Sequence, residues 1–376
     1  MSRAVAEIDI YAIKSNLDLI KNKTKSQILA VVKANAYGHG LIPVAKAAIE
    51  SGADWLGTAL LEEAIELRKS GISAPIIAWL TPLGEDFRSA LELNIDLSIS
   101  SPEVLDEIVL ASNLVNKVPR LHIEIDTGMS RGGVRDDWEK LFIQLEELVK
   151  SNKINVVGIW THFARADEPE EQMNSTQLSQ LTDRVSDLEK RGIKPEFIHI
   201  ANSAAALTNK QSHKSIVRWG IGLYGLSPDV NSLGSSKSLD LRPAMKLKAK
   251  LNLVKQVKAG ATVGYGATAV TTKDTKLGVV AMGYADGIPR NANSDAGVFV
   301  AGKRAAIIGR VSMDQFVVDL GIDSLVKTGD EVIVFGDGSA GEYTIDEWAK
   351  ACGTINYEIV TRIGPRVPRI YTYERT

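Results

Sequence analysis

Short apolar runs alternate with longer amphipathic stretches between residue 28 and about residue 225. Eight runs have the length and apolar character of buried strands, at residues 28–33, 55–59, 75–79, 95–99, 121–125, 156–162, 197–200 and 216–219. Apolar residues at helical spacing lie between them, at residues 61–69, 102–110, 138–150 and 176–190. Eight strands separated by helices predict a (β/α)8 barrel, and a span of roughly 200 residues is near the lower size limit of that fold. A doubly wound open sheet is the alternative, but it normally has fewer strands.

The pattern changes after Tyr224. Residues 227–238 are rich in turn formers and predict a linker or a long loop. Beyond them β-branched residues and glycines become frequent, in apolar runs at residues 277–281, 298–300, 316–320 and 331–335, and helical spacing is scarce until residues 344–351. These features predict a second, mainly β domain. The fold class is therefore α/β, with a (β/α)8 TIM-type barrel in residues 1–235 and a mainly β domain in residues 236–376.

Polar residues follow the predicted strands at the end where barrel enzymes carry their chemistry. They are Lys33, Asn35 and Tyr37 after the first strand, Arg131 after the fifth, His162 at the sixth, Asn202 and Ser203 at the seventh, and Arg218 at the eighth, just before Gly220 and Ile221. Taken singly, each has an ordinary interpretation as a solvated group in a loop. Their joint placement at the ends of five strands indicates one polar site.

The fifth strand carries polar residues on one face. Strand alternation places His122, Glu124 and Asp126 together, opposite the apolar residues between them. This arrangement predicts a polar barrel interior. A buried carboxylate needs a partner there, and Arg131 is the nearest candidate in the sequence.

Three further features each allow a chemical and an ordinary interpretation. Lys33 follows Ala-Val-Val, where scarce water lowers the pKa of an amine and frees it to attack a carbonyl, although many lysines merely close a strand and reach solvent. Ser203 and the backbone of Gly220 and Ile221 suit a phosphate site after strands seven and eight. Tyr265 lies between two glycines, which is typical of a turn with an exposed ring.

Composition narrows the class of protein. The 376 residues include 44 Lys and Arg against 46 Asp and Glu, so a net charge of -2 gives no electrostatic reason to expect nucleic acid or an anionic membrane as a partner. No apolar run reaches the length of a membrane span, and the N-terminus lacks the apolar segment of a secretory signal. Cys352 is the only cysteine, so an internal disulfide is excluded and no metal site is expected. A cytoplasmic enzyme is the simplest expectation.

Nine segments resemble motifs of the alanine racemase family, in family order and in both predicted domains. They are residues 31–40 (VVKANAYGHG), 126–131 (DTGMSR), 161–168 (THFARADE), 199–203 (HIANS), 218–221 (RWGI), 264–266 (GYG), 283–287 (GYADG), 312–315 (SMDQ) and 354–358 (TINYE). The resemblance implies a pyridoxal-phosphate-dependent isomerase that interconverts L-alanine and D-alanine. It also implies that the product is D-alanine for peptidoglycan.

The resemblance implies roles for particular residues in a two-base reaction. Lys33 would form the Schiff base with pyridoxal 5′-phosphate and move a proton on one face of the substrate α-carbon. Tyr265 from the partner subunit would be the base on the opposite face, with a hydrogen bond to His162 that helps its phenol ionise. The backbone of Met313, also from the partner, would meet the substrate carboxylate. Each active site of a homodimer is thus expected to be built from both chains.

Further positions that match the family surround the cofactor. The phosphate-binding positions are Tyr37, Ser203, Gly220, Ile221 and Tyr357. Arg131 matches the residue that faces the phenolic oxygen of the cofactor and contributes to the substrate site. Arg218 matches the residue at the pyridine nitrogen, with His199 behind it, and an arginine cannot give that nitrogen a full proton. The ring is therefore expected to be a weaker electron sink than one paired with an aspartate, which favours return of the proton to the α-carbon.

Glu124 departs from the family pattern. Many members carry there a lysine carbamylated by carbon dioxide, whose carboxylate orients the arginine matched by Arg131. We expect Glu124 to supply a carboxylate directly, on a shorter arm and through a bridging water. The alternative is that Glu124 pairs elsewhere and other groups hold Arg131.

Three other activities fit parts of the pattern. A decarboxylase of basic amino acids would share the barrel, but residues 264–266 and 354–357 favour racemisation. A single-barrel cofactor carrier has no β domain, so residues 240–376 argue against it. A racemase of serine, lysine or broad specificity is poorly distinguished by sequence, although Tyr357 and Met313 suggest a small pocket suited to a methyl side chain.

Overall fold

The computed structural model describes residues 2–373, so residue 1 and residues 374–376, at the outer ends of the two predicted domains, lie outside the described part of the chain. Strand β1 (Ala4–Asp9) comes first. Its last residue starts the following helix, Ile10–Lys21, because the Asp9 carboxylate accepts a hydrogen bond from the backbone N–H of Ala12 at 3.1 Å.

Eight parallel strands form the barrel. They are β2 (Gln27–Val31), β3 (Trp55–Thr58), β4 (Ile76–Ala78), β5 (Asp96–Ile99), β6 (Arg120–Glu124), β7 (Asn155–Trp160), β8 (Phe197–His199) and β9 (Ile216–Trp219). Each strand pairs with the next from β2 to β8, and β2 also pairs with β9. Between β8 and β9 the N–H groups of Ser215 and Arg218 donate to the carbonyls of Ile198 and Ala201, both at 3.0 Å. The predicted (β/α)8 barrel is confirmed.

Helices and short turns connect the barrel strands. Besides Ile10–Lys21, the helices are Leu41–Glu50, Leu61–Lys69, Phe87–Glu92, Pro102–Val115, Trp138–Lys150, Gln172–Lys190 and Ser203–Thr208, with 3-10 turns at Lys210–His213 and Ile221–Tyr224. Ser101 caps one of them, because its hydroxyl accepts from the N–H of Val104 at 3.3 Å, and Pro102 follows at a position where an N–H is not needed. The helices at Pro102–Val115 and Gln172–Lys190 extend beyond the predicted 102–110 and 176–190.

The second domain is mainly β, as predicted. Its strands are β10 (Met245–Val257), β11 (Thr262–Val263), β12 (Ala269–Val270), β13 (Thr275–Val280), β14 (Gly297–Val300), β15 (Lys303–Ala306), β16 (Phe316–Asp319), β17 (Glu331–Phe335) and β18 (Arg369–Thr372). Its helical segments are Lys237–Leu239, Tyr265–Ala267, Tyr284–Asp286, Ile345–Ala351 and Asn356–Thr361, and a short helix at Val230–Leu233 lies in the predicted linker before them. The long strand β10 organises the sheet, because it pairs with β1, β13 and β17.

The first strand of the chain joins this second sheet rather than the barrel. β1 pairs antiparallel with β10 and parallel with β18, so Ala4 faces Ala249 and Ala6 faces Arg369 in the two registers. Its burial alternates along the strand, as expected for a strand covered on one face. The N-terminal segment therefore ties the two halves of the chain together, and the division at residues 235 and 236 stays a prediction.

Candidate active site

A cavity of about 550 Å³ opens at the carboxyl ends of the barrel strands. The structure brings nine of the predicted site residues to its walls, namely Lys33, Tyr37, Arg131, His162, Ser203, Arg218, Gly220, Ile221 and Tyr357. Glu124 lines the same cavity. His199 lies behind this wall, in hydrogen-bond contact with Arg218, whereas Tyr265 and Met313 are elsewhere on the chain.

Lys33 comes just after the end of β2 and projects into this cavity. Burial lowers the pKa of its amine, and the positive charge of Arg131 lowers it further, while Glu63 opposes the shift. The Nζ atom lies 6.0 Å from the centre of the Trp79 ring. The amine therefore spends more of its time neutral than a lysine in water, which is the state that attacks a carbonyl.

An unusual turn directs the chain out of the lysine position. Residues 34–37 all have positive φ, between 49° and 54°, so the chain makes a left-handed turn that L-residues rarely adopt. The Asn35 side chain supports it by accepting a hydrogen bond from the N–H of Leu41 at 2.8 Å. The turn brings the buried Tyr37 ring against the cavity, 6.2 Å from the ring of Tyr357 in the second domain. Gly38 follows at φ 80°, where a Cβ would lie 2.1 Å from the Val360 carbonyl oxygen.

Arg218 is buried and uses both terminal nitrogens of its guanidinium. Nη1 donates to Nδ1 of His199 at 3.2 Å, and Nη2 donates to the carbonyls of Thr161 and Ile200 at 3.0 and 3.1 Å. Burial lowers the pKa of Arg218 and the Glu124 carboxylate opposes that shift, but a guanidinium keeps its proton near neutral pH. Its cation lies 5.0 Å from the centre of the Trp160 ring.

The contact with Arg218 determines which ring nitrogen of His162 carries the proton. Nδ1 of His162 lies 3.1 Å from Nη2 of Arg218, and because a guanidinium can only donate, Nδ1 accepts. Burial lowers the pKa of His162 well below its usual value, and the charges of Arg218 and Arg131 lower it further. The ring is therefore neutral, and its one N–H is at Nε2.

The loops after β8 and β9 form a cradle suited to an anion. The Ser203 hydroxyl accepts hydrogen bonds from the N–H of Gly220 at 2.9 Å and of Gly222 at 3.3 Å, which leaves its own proton free to donate. A Cβ at residue 220 would lie 3.0 Å from Oη of Tyr37, so glycine keeps this space open. Two hydroxyls and exposed backbone are the groups that hold phosphate at the mouth of many barrels.

Glu124 lies among the cations of the cavity without a close ion pair. Within residues 2–373 its carboxylate makes no hydrogen bond or salt bridge, although Arg131 lines the same cavity. Burial raises the pKa of Glu124 to about 7, and the charges of Arg131 and Arg218 oppose the shift. A Cβ at Gly132 would lie 3.2 Å from Oε1 of Glu124, so this glycine makes room for the carboxylate.

Asp126 and His122, the two other polar residues of the fifth-strand pattern, lie in different surroundings. Asp126 accepts hydrogen bonds from the N–H groups of Gly128 and Ser130 at 2.9 and 3.0 Å, so it orders the loop that follows β6. His122 is buried inside the barrel below the cavity. The predicted polar interior exists, but only Glu124 of the three lines the cavity.

Tyr265 and Met313 are on the surface of the second domain. Tyr265 is 70% exposed and starts the 3-10 turn Tyr265–Ala267 between β11 and β12, while Met313 is 53% exposed. Neither lines the cavity in its own chain.

Gln177 was not singled out from the sequence, although it holds the segment around His162. Its side chain donates to the carbonyl of His162 at 2.9 Å and to the Thr127 hydroxyl at 3.0 Å, and it accepts from the N–H of Ala164 at 3.0 Å. A buried glutamine on an otherwise amphipathic helix has no distinctive spacing in sequence, because two of its three partners are backbone groups and the third, Thr127, lies far along the chain. Only its place on the apolar face of the helix Gln172–Lys190 signals it.

Two negative findings apply to residues 2–373. No group of three or more His, Cys, Asp or Glu side chains there has an arrangement that could hold a metal ion. None of the helices in this range is both long enough and apolar enough to cross a membrane.

An amine held largely out of water beside an anion cradle is the arrangement of an enzyme that carries a phosphorylated carbonyl cofactor. Two family models match the chain: "Alanine racemase, N-terminal domain" over residues 8–228 and "Alanine racemase, C-terminal domain" over residues 244–371. The chain belongs to the alanine racemase family, whose members are pyridoxal-phosphate-dependent isomerases, so the resemblance of the nine motifs is confirmed.

Individual relatives match over the whole length. The alanine racemase of Salinispora arenicola is 45% identical over 377 aligned residues, which cover 100% of this chain and 100% of that protein. The alanine racemase of Thermobifida fusca is 46% identical, with 99% of this chain and 98% of that protein covered. Among solved structures, the alanine racemase from D-cycloserine-producing Streptomyces lavendulae has a TM-score of 0.97 at 46% identity, with 100% of this chain and 98% of that chain covered.

Proposed function

We propose that this chain interconverts L-alanine and D-alanine by a two-base reaction in a homodimer, with Lys33 as one base and Tyr265 of the partner subunit as the other. The observation that carries the proposal is the partly desolvated amine of Lys33, which lines one cavity with Arg218 and the Ser203–Gly220 cradle. We further propose that the enzyme is cytoplasmic and supplies D-alanine for peptidoglycan.

The cavity fits pyridoxal 5′-phosphate as the cofactor. Ser203, Tyr37 and the backbone of Gly220 and Ile221 would hold the phosphate, since the cradle is open only because residue 220 has no side chain. Tyr357 closes the same side from the second domain. The cofactor would be carried on the Lys33 amine until the substrate amine replaces it, and it would then withdraw electrons from the substrate α-carbon and so make its hydrogen acidic.

Lys33 is suited to move a proton on one face of the α-carbon. A base works best when its pKa is near the working pH, and burial moves the pKa of this amine downward, in that direction. The rings of Trp79 and Trp160, at the ends of β4 and β7, line the cavity and keep water from the amine. The proton that Lys33 takes is therefore retained near the α-carbon.

Inversion of a stereocentre by two fixed groups needs a second group on the opposite face. The exposed Tyr265 is available for this role only in a neighbouring chain, because it does not line the cavity of its own. His162 supports the phenol, since its Nε2–H can donate to the phenolic oxygen and stabilise the negative charge left after proton transfer. An active site that is built from residues of two chains exists only in the homodimer.

Arg218 limits the reaction to proton exchange. Its guanidinium would donate a hydrogen bond to the pyridine nitrogen of a bound cofactor but could not transfer a full proton there. Within residues 2–373 its Nε makes no hydrogen bond, so this N–H is left for the cavity. Electron density then stays near the α-carbon, which favours return of a proton over transamination.

Arg131 is proposed to bind the carboxylate side of the substrate, together with Met313 of the partner subunit. Glu124 is proposed to neutralise and orient Arg131. The positions support this, because Glu124 and Arg131 line the same cavity and Arg131 makes no salt bridge with any carboxylate among the described residues. A water between the two side chains would complete the contact.

The test is a circular-dichroism assay of the full-length chain with pyridoxal 5′-phosphate and L-alanine, L-serine or L-lysine. We expect loss of the L-alanine signal toward zero, faster than for the other two, and no loss with Lys33→Ala. Release of carbon dioxide without racemisation would contradict the proposal. Faster racemisation of L-serine or L-lysine would contradict the substrate alone.

A further inference from the structure

A line of polar side chains runs through the barrel from the cavity to its opposite end. Nη1 of Arg218 lies 3.2 Å from Nδ1 of His199, and Nε2 of His199 lies 3.1 Å from Nδ1 of His122. Nε2 of His122 lies 3.3 Å from Oδ2 of Asp96, whose other oxygen accepts from Nε of Arg120 at 2.9 Å. All except Arg120 are buried.

The line begins at one mouth of the barrel and ends at the other. His199 ends β8 on the side of the cavity, while Asp96 and Arg120 are the first residues of β5 and β6, at the amino ends of the strands. The cavity does not include His199, His122 or Asp96. These three residues therefore reach the cavity only through Arg218.

The two ends of the line fix the direction of every hydrogen bond in it. A guanidinium can only donate, so Nδ1 of His199 accepts and its proton is at Nε2. That N–H donates to Nδ1 of His122, whose own proton is therefore at Nε2 and donates to Asp96. An ionised carboxylate only accepts, so the order closes at Asp96 without a conflict.

Any other protonation of the line places two donors against each other. A proton at Nδ1 of His199 would meet the N–H of Arg218, and a proton at Nδ1 of His122 would meet that of His199. Burial lowers the pKa of His199 well below its usual value, and the charge of Arg218 acts in the same direction. The hydrogen-bond order thus places one proton on each imidazole, at Nε2.

Packing holds the two imidazoles in this arrangement. The rings of Trp160 and His199 are stacked, 5.8 Å apart and 6° from parallel, and those of Phe197 and His122 are stacked at 6.2 Å and 13°. Gly158 makes the space for His122, because a Cβ there would lie 2.1 Å from its Nδ1. The pairing of β6 with β7 shifts register at His122, beside this glycine.

We propose that Asp96 and His122 are positioning residues for Arg218: through His199 they fix the orientation in which the guanidinium presents its free N–H to the cavity. The role of the presented N–H rests on the proposed function, but the order of hydrogen bonds does not. Asp96 fixes the same order from the far end of the line, so a donor in its place would favour a proton at Nδ1 of each histidine and would set the N–H of His199 against the guanidinium.

Solid-state NMR of the full-length chain labelled with 15N-histidine tests the order directly. The chain has five histidines, so ten ring nitrogens give a spectrum that single substitutions can assign. We expect bare Nδ1 and protonated Nε2 at His122 and His199, in contrast to His39, whose Nδ1 donates to the Tyr37 carbonyl at 2.9 Å. A proton at Nδ1 of His199 in the wild-type chain would overturn the proposal.

Asp96→Asn tests the positioning role, because an amide can donate as well as accept and no longer holds the proton of His122 at Nε2. We expect a mixture of tautomers at His122 and His199 and a kcat lowered roughly tenfold or more, with KM changed less than about twofold. Asp54→Asn is the matched control: Asp54 lies at the same end of the barrel and accepts from the N–H of Ile28 at 2.7 Å, outside the line.

The outcomes separate the two claims. Mixed tautomers with unchanged kcat, or a similar loss of kcat in Asp54→Asn, would overturn the positioning role. Wild-type chain that shows the expected tautomers but racemises no amino acid would contradict the proposed function and leave the order of hydrogen bonds supported. If Asp96→Asn does not fold, the wild-type spectrum alone still decides the order.

Discussion

Arg218 and His162 are joined by a hydrogen bond from Nη2 to Nδ1 at 3.1 Å, and this contact leaves the imidazole with a single donor at Nε2. We expect that donor to be needed for catalysis, because it stabilises the phenolate formed at Tyr265 of the partner subunit. His162→Leu, which removes the donor, should lower kcat/KM for alanine about 10- to 100-fold, the value of a hydrogen bond to a charged group. Steady-state racemisation kinetics measure the effect.

His162→Gln is the control for that prediction. The amide nitrogen of glutamine can occupy the place of Nε2 and still donate, so this variant should keep more activity than His162→Leu. Equal losses in the two variants would show that the ring, rather than its N–H, is what the site requires.

The two proposed bases should complement each other between chains. Lys33→Ala and Tyr265→Phe homodimers should each be almost inactive, whereas a hybrid of the two chains has one site with Lys33 and a partner tyrosine intact. Random assembly from equal amounts gives about a quarter of the wild-type activity, since half of the dimers are hybrids with one working site of two. Activity of the mixture after joint refolding measures this.

A mixture without activity would contradict a shared site, because a site built from a single chain would carry one of the two lesions in each half of the hybrid. Wild-type chain mixed with the Lys33→Ala, Tyr265→Phe double variant controls for subunit exchange. In that mixture each hybrid site lacks one of the two bases, so the remaining activity comes from wild-type dimers alone.

Gln177 should matter for both stability and activity, because it satisfies the carbonyl of His162 and the N–H of Ala164. Gln177→Leu leaves the His162 carbonyl and the Ala164 N–H without a partner, which lowers the free energy of unfolding by about 2 to 4 kcal/mol. The loosened segment should also lower kcat. Denaturant unfolding and racemisation kinetics measure the two effects.

Gln180→Leu is the matched control on the same helix, since Gln180 is exposed. This variant should stay within about 0.5 kcal/mol of the wild type. The interpretation of Gln177 fails if the two variants lose the same stability and activity.

The barrel was predictable from sequence because parallel strands are buried on both faces and read as continuous apolar runs. The position of β1 was not, because its partner residue Ala249 lies far along the chain and local periodicity does not name a partner. Lys33 and Arg218 were likewise predictable, because they lie at strand ends, where barrel enzymes carry their catalytic residues. Asp96 escaped notice because it begins a strand, at the end of the barrel where function is not expected.

Backbone geometry limited the prediction of the site. Residues 34–37 include alanines and a tyrosine, which do not favour positive φ, so the left-handed turn after Lys33 has no signal beyond Asn35 and the following Gly38. Sequence also indicated Arg131 as the partner of Glu124, whereas among residues 2–373 the Glu124 carboxylate makes no hydrogen bond or salt bridge with it. The distance that a side chain spans cannot be derived from the separation of two residues in the sequence.

Gly220→Ala should weaken binding of the cofactor phosphate. The added Cβ would lie 3.0 Å from Oη of Tyr37 and 3.7 Å from Oγ of Ser203, inside the cradle. Overpacking of this kind costs about 1 to 3 kcal/mol, so the Kd for pyridoxal 5′-phosphate should rise about 5- to 100-fold. Pyridoxal without the phosphate should bind both forms equally in a fluorescence titration.

Gly364→Ala is the control, because the nearest atom to a Cβ there is 3.9 Å away. It should leave both affinities unchanged. An equal loss of pyridoxal and pyridoxal phosphate in Gly220→Ala would place the phosphate elsewhere.

Glu124 should make stability depend on pH near neutrality. Its pKa is about 7 in the folded chain against an ordinary value of 4.5, so between these values the folded chain holds a proton that the unfolded chain has released. The stabilising contribution is therefore complete below about pH 4.5 and is lost as the pH rises through 7. Glu124→Gln removes this loss, so relative to the wild type it should gain about 1 to 3 kcal/mol between pH 5 and pH 8, with the partial exposure of the carboxylate to the cavity reducing the effect.

Denaturant unfolding of the two chains at pH 5 and pH 8, without added cofactor, measures the difference. Glu103→Gln is the control: the hydrogen bond from Lys140 lowers the pKa of Glu103 to about 2, so this residue is ionised throughout that range and its variant should show no trend. A parallel loss for wild type and Glu124→Gln would mean that the carboxylate is ionised in the fold. Glu124 would then already be paired, and if Glu124→Gln also left activity and the absorption spectrum of the bound cofactor unchanged, that partner would not be Arg131.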